Sequence, residues 1–348
     1  MFARKKARNT RWFLPALTGL ILLSGPNSAA LSAADAPFAG LPSGGSLTAA
    51  APTQQNMLTY HFGPVMQTNT TYAIFWAPPI GFAPINRGTP TPYACIESCP
   101  PPSPWANGYI DAVTNFLIDV AADSGKATNV YSITAEYTLR PYQSAFGGSY
   151  IDANDYPPPD PAGNPDCPTK LAAVPVCLTD GQIQTEIQRV RALNHWPAGL
   201  GNLYLVFTPQ GVGSCVKIGP KKTELHCAYF NLGTGHGGYC AYHFSIGTSV
   251  IYANQPFPVL GCLPAYRDPR AEVLDSLSHE HIEAITDPLG TAWYADKAKV
   301  KAEFVAHGAE IADVCKGTVS PTTINGHPYR LQAEWSNAAG ACRWEAAP

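Results

Sequence analysis

Two Asp-Pro dipeptides, Asp268-Pro269 and Asp287-Pro288, frame the stretch that most constrains this chain. Asp before Pro starts a helix well: the carboxylate caps the first amides, and Pro fits a first turn whose N–H has no helical partner anyway. The second pair is a stop, because a residue preceding Pro is pushed out of the helical region. The spacing predicts one helix of bounded length. Inside it lie residues 278–288, SHEHIEAITDP, with the pattern H-E-x-x-E at His279, Glu280 and Glu283. His279 and Glu283 share a helix face one turn apart, so both can reach one metal ion. Glu280 follows the His directly, where the related H-E-x-x-H pattern carries its general base. Here Glu283 stands in place of the second His.

A catalytic zinc needs three protein ligands and one open position for water. Residues 307–315, HGAEIADVC, offer the best source of the third. Glu310 and Asp313 are three apart and can face the same way on a helical turn. The expected ligand set is His279, Glu283 and Glu310, with Asp313 as supporting partner or substitute ligand and Glu280 as base. Zinc leads, and because three carboxylates would harden the site, calcium and manganese are the alternatives. H-E-x-x-[HE] arises by chance in roughly one in thirty chains of this length. A solvated polar helix face is therefore the rival reading. His281 points away from the His279/Glu283 face and reads as structural or outer-shell. His236 and His243 flank Cys240 and read as core or loop histidines. Of these two, His243 is the better candidate for a supporting role, because it ends an expected strand. Neither a G-x-S-x-G elbow nor a phosphate-cradling Gly loop is present, which disfavours serine hydrolases and nucleotide enzymes.

The N-terminus reads as a signal peptide over residues 1–34. Arg4, Lys5, Lys6, Arg8 and Arg11 precede an apolar run at 12–23, and Ser28-Ala29-Ala30 or Ser32-Ala33-Ala34 offers a cleavage site. The run is short for a membrane span of about 20 residues, which makes an uncleaved anchor the lesser alternative. Five of the 22 Lys/Arg and none of the 25 Asp/Glu fall in this segment. The remainder carries 17 basic against 25 acidic side chains, a net of about −8 with no basic stripe, which argues against nucleic-acid and anionic-membrane partners. Ten cysteines follow, an even number that implies disulfides in an exported chain. Spacing alone suggests the local pairs 95–99, 167–177, 215–227, 240–262 and 315–342. A structural Cys/His zinc site is the rival, and no pair of C-x2-C knuckles supports it. Charged residues make up 14% of the chain against a usual ~25%, yet hydrophobic residues reach 45%. That balance describes a loop-rich folded extracellular protein, not a disordered one.

The expected organisation is a flexible Ala/Gly/Ser/Pro leader at 35–56, an α/β domain at 57–289 and an irregular, disulfide-bonded C-terminal subdomain at 290–348. Strands are predicted over 71–76, 130–139, 203–209, 239–244 and 249–253. Residues 105–123 put Ile110, Val113, Phe116, Leu117 and Val120 on one helical face. Thr179 and Gln182 have capping-box spacing and open a helix carrying Ile183, Ile187, Val190 and Leu193, which Pro197 ends. Residues 78–104 and 156–177 are Pro-rich excursions.

Four stretches carry a family resemblance. They are residues 60–66, YHFGPVM, followed by a strand and Trp76; 278–288 with Trp293-Tyr294; 310–315, EIADVC; and 332–337, QAEWSN, with Cys342. Together they span about residues 57–345. In this order the chain resembles the Exordium, or phosphate-induced, protein family of plants and its secreted bacterial homologues. The resemblance implies an extracellular or cell-wall-associated protein, without an established catalytic activity. The helix order is also similar to that of zincin peptidases, in which a motif helix packs under a twisted sheet. The expectation is a secreted or periplasmic zincin-like metal-dependent hydrolase acting on a peptide or protein. Its alternative is a non-catalytic binding protein for cell-wall polysaccharide, holding at most a structural ion.

Overall fold

The computed structural model describes residues 38–39, 58–78, 105, 108–158, 166–167, 176–218, 224–228, 237–258, 262, 268–296 and 309–346. The segment read as a signal peptide, most of the two Pro-rich excursions, Cys95, Cys99, His236 and His307 lie outside them. Residues 33–348 belong to one compact unit.

The chain is a mixed α/β protein. Its main sheet has six strands: β1 (Phe38–Ala39), β3 (Asn69–Trp76), β4 (Ser144–Asp152), β6 (Asn202–Thr208), β10 (Ala241–Ile246) and β11 (Val250–Pro256). The order across the sheet is β1-β10-β11-β6-β3-β4. The four strands from β11 to β4 run parallel, and β10 and β1 are added antiparallel at the other edge. β1 falls within the stretch read as a leader. β3, β6 and β11 are almost wholly buried, as expected of parallel strands covered on both faces.

Helices cover the two faces separately. Ala73, Phe75, Leu205, Phe207 and Ala253 pack against α1 (Tyr109–Ala122) and α4 (Pro269–Thr286). Ile74, Tyr204, Val206 and Tyr252 pack against α3 (Asp180–Leu193). The alternation follows from the period of two along each strand. α3 opens with the full capping box, Thr179 Oγ1 accepting from the Gln182 amide and Gln182 Oε1 accepting from the Thr179 amide. Ile183, Ile187 and Val190 are buried, whereas Leu193 at the last position is exposed. α4 starts at Pro269 with the Asp268 carboxylate accepting from the Arg270 amide, and it ends at Thr286 before Asp287-Pro288.

Two expectations need correction. Residues 130–139 are not a strand. Val130–Thr134 forms a 3-10 turn, and α2 (Ala135–Thr138) continues it. Asn129 causes this: its side chain accepts from the Tyr131 amide, a local cap that competes with strand pairing. All five residues of the turn are buried, so no polar-out alternation was available to hold a strand. The C-terminal part is also more regular than expected. β12 (Trp293–Ala295) pairs with β2 (Leu58–Tyr60), across the 289/290 boundary drawn from the sequence. β13 (Val319–Ile324) and β14 (His327–Gln332) form a hairpin, and β15 (Glu334–Ser336) pairs with β16 (Ala341–Arg343). The hairpin turn is Asn325-Gly326, with φ of 50° and 81°. Both residues must take left-handed backbone there, which Asn-Gly does at least cost. A smaller sheet of β5 (Val176–Thr179), β7 (Val212–Ile218), β8 (Glu224–Cys227) and β9 (Gly237–Gly238) completes the fold.

Four of the five expected disulfides lie in the described residues: Cys167–Cys177, Cys215–Cys227, Cys240–Cys262 and Cys315–Cys342.

Candidate metal centre

The strand register decides what faces the motif helix. On β10, His243 pairs with Ala253, which aligns with Leu205 and then Ala73. All three belong to the face packed against α4. His243 therefore projects from the sheet toward the H-E-x-x-E turn. Its Nδ1 lies 2.9 Å from Glu280 Oε2 and 3.7 Å from Glu283 Oε2. Its Nε2 donates to the Asp287 carbonyl at 3.3 Å, since a carbonyl oxygen can only accept.

On the other side of Glu283, His279 Nε2 lies 3.1 Å from Glu283 Oε1 and 3.6 Å from Asp313 Oδ1. Neither contact has hydrogen-bond geometry, and the nitrogen has no other partner. The Asp313 amide donates to Glu283 Oε1 and the Glu310 amide to Asp313 Oδ2, both at 3.2 Å. The first bond holds residues 310–313 against α4, and the second closes their turn. Glu310 and Asp313 thus both reach the motif helix. Asp313 is the neighbour of His279, and Glu310 that of His243.

Every member is buried. His243 and His279 are 1% and 3% exposed, Glu280, Glu283, Asp287, Asp313 and Glu334 are fully enclosed, and Glu310 is 2% exposed. Burial of that depth penalises charge, and several carboxyls respond. Burial pushes Glu283 up to about 8, against the pull of His279, and Asp313 raises it further. Glu310 is raised well above the carboxylate range by burial and then by Glu283, Asp287 and Asp313. Burial likewise raises Glu334 and Asp287. The imidazoles are raised as well, but against the effect of burial. Burial alone would depress His279, but Glu283, Asp313 and Glu280 lift it well above its ordinary value. The Glu280 hydrogen bond lifts His243 in the same manner.

Eight oxygen and nitrogen atoms here have no hydrogen-bond partner: His279 Nε2, Glu283 Oε2, Asp287 Oδ2, both oxygens of Glu310, Asp313 Oδ1 and both oxygens of Glu334. Buried polar atoms are ordinarily paired, so a concentration of orphans calls for a missing partner. No lysine or arginine pairs with Glu283, Asp287, Glu310 or Glu334 among the described residues. Two groups have donor atoms all within 4.8 Å of one another: His279, Glu280 and Glu283; and His243, Glu283 and Glu310. Metal bonds of ~2.0–2.1 Å in a tetrahedral shell put donors about 3.3 Å apart. The 3.1 and 3.6 Å contacts of His279 bracket that spacing. The residues present therefore fit a divalent cation. A third cluster, Cys167, Cys177 and Cys215, has its sulfurs tied up in disulfides.

His281 sits apart. Its Nε2 donates to Asn69 Oδ1 at 2.8 Å, and its Nδ1 accepts from Tyr131 Oη at 3.2 Å. Burial depresses its pKa to about 3, so the ring is a neutral strut between α4 and the start of β3. Sequence reasoning underrated His243 and missed Asp287 and Glu334. In the sequence Asp287 marks only a helix stop, and Glu334, within QAEWSN, carries no sign of a role. Its burial was the missing signal, and a lone Glu beside Trp335 does not announce burial.

Comparison of the chain with family models, with curated proteins and with solved structures finds no match.

Proposed function

We propose that this is an extracellular metal-dependent hydrolase of zincin-like design, acting on peptide bonds. The observation carrying the reading is the set of orphaned, fully buried donor atoms around Glu283, with His279 and Asp313 at ligand spacing. In this reading His279, Glu283 and Asp313 hold the ion, and Glu310 lies beside them. A bound zinc would supply Lewis acidity and bring a water's pKa down toward 7. Glu280 takes a proton from the attacking water and passes it to the leaving amine as the C–N bond breaks. His243, 2.9 Å away, holds the Glu280 carboxylate in place. The disulfides and the absence, among the described residues, of a helix able to cross a membrane are compatible with an extracellular place.

One observation favours a second reading. No ligand atom stands open to solvent, whereas a catalytic ion keeps a position for water and substrate. A closed, structural ion in an Exordium-like wall-binding protein would look like this. Purified protein with Glu280→Gln decides between them. Hydrolysis of a peptide library by the native protein, lost at least 100-fold in Glu280→Gln with metal content unchanged, supports the hydrolase. No hydrolysis by metal-loaded native protein refutes it and leaves the structural ion.

A further inference from the structure

We infer that the centre holds two divalent cations that share Glu283 as a bridging carboxylate. This rests on the metal-binding part of the reading above and adds a second ion to it.

The two oxygens of Glu283 face different imidazoles. Oε1 faces His279 Nε2 at 3.1 Å, with Asp313 Oδ1 3.6 Å from the same nitrogen. Oε2 faces His243 Nδ1 at 3.7 Å, and Glu310 has an oxygen within 4.8 Å of a donor atom of each of these two residues. A carboxylate with one histidine and one further carboxylate on each of its oxygens has the form of a bridge between two ions. Bridged ions of this kind stand about 3.5–4 Å apart.

The second half of the site needs a cation on its own account. His243 Nε2 is taken up by the Asp287 carbonyl, and its Nδ1 lies 2.9 Å from Glu280 Oε2 and 3.7 Å from Glu283 Oε2. Those contacts leave both Glu310 oxygens, Glu283 Oε2 and Asp287 Oδ2 without partners in a fully enclosed site. One divalent ion among His243, Glu283 and Glu310 satisfies several of these atoms at once. Each oxygen of Glu283 meets a different imidazole, and an ion on each satisfies both halves of the orphaned set. The oxygen-rich shell suits manganese, calcium or zinc in the second position better than a softer ion.

Chelator-stripped protein, titrated with Mn2+ and assayed by elemental analysis and electron paramagnetic resonance, tests this. The native chain should take up two equivalents with a spin-coupled signal. Glu310→Gln and His243→Ala should each take up one, with an isolated six-line spectrum. His279→Ala should also keep one. Far-UV circular dichroism and the isosteric Glu310→Gln guard against a merely unfolded variant. One equivalent in the native chain, retained in His243→Ala and lost in His279→Ala, overturns the second site and leaves the single-ion reading standing. Two equivalents without coupling overturn the bridge. No bound metal in the native chain overturns both readings.

Discussion

Removing the Cys315–Cys342 bond by the double change Cys315→Ala and Cys342→Ala tests how the C-terminal strands are held to the site. The cysteines are 27 residues apart in sequence. In the chain-entropy account, cross-linking costs the unfolded state about 2.1 + 1.5R ln n entropy units, which for a loop of this size is ~12 cal/mol/K, or roughly 3.5 kcal/mol at 25 °C. Both side chains are mostly buried, so alanine also gives up some packing. Stability should fall by about 3–4 kcal/mol, and Tm by roughly 7–14 °C at the ~2–4 °C per kcal/mol typical of domains of 150–250 residues. Urea unfolding with the other disulfides intact measures it. Because the effect acts on the unfolded chain, m should rise as that chain expands. The loop closed by the bond contains Glu334 and Gln332. The side chain of Gln332 donates to the Ala312 carbonyl at 2.6 Å, beside Asp313. Metal affinity should therefore weaken about tenfold, at the low end for loss of outer support. A stability loss under about 1 kcal/mol, with the bond shown to be present in the native protein, would refute the loop argument. Unchanged metal affinity would refute the coupling of the tail to the centre.

Three further outcomes follow from the same structure. Chelation at pH 7 should lower Tm by roughly 8–16 °C, since ion at 1,000 times its Kd contributes about 4 kcal/mol; an unmoved Tm in a calorimetric scan would tell against any tightly bound ion. Gly63→Ala should destabilise by about 1–3 kcal/mol, because a Cβ there would stand 2.4 Å from the carbonyl carbon and oxygen of Thr291, in the loop whose amides bind Asp287 Oδ1; a neutral urea midpoint would contradict the close approach. On α3, burial pushes buried Glu186 up to about 7, against Arg189, with Asp152 raising it further. A carboxyl raised in the fold binds its proton more tightly folded than unfolded, so its stabilisation is full below about 4.5 and is lost as pH rises toward 7. Stability should fall by up to roughly 1.4 kcal/mol per pH unit across that window, and Glu186→Gln should flatten the profile; an identical profile in the variant would sink the assignment.

Much of the frame was legible in the sequence because its signals are local. Asp268-Pro269 and Asp287-Pro288 set the bounds of α4, and Thr179 with Gln182 set the start of α3, since caps and proline act within one turn. The strands at Thr71–Trp76 and residues 203–209 announced themselves by unbroken β-prone hydrophobicity. His279 and Glu283 share a face by helical period alone. Local signals also misled where two of them competed. Val130–Leu139 looks β-prone, but Asn129 caps a turn there. The Asn325-Gly326 hairpin could have been read from its dipeptide and was passed over inside a tail that looked irregular.

What the chain by itself determined was therefore a capped helix carrying two candidate ligands and a candidate base, set among strands that had to be buried. Only the tertiary structure decided which residues meet that helix. The antiparallel register of β10 on β11 turns His243 toward Glu280 and Glu283, and a slip of one residue would point it at the opposite face. The packing of residues 310–313 on α4 places Asp313 beside His279 and Glu310 within reach of His243 and Glu283. The tail strands enclose Glu334. Those meetings join residues tens of positions apart, and they depend on long-range pairing and burial, which no window of sequence records. The H-E-x-x-E turn fixes where a metal could sit. The sheet decides that the second oxygen of Glu283 also meets a histidine, and the tail brings Asp313 and Glu310 to it.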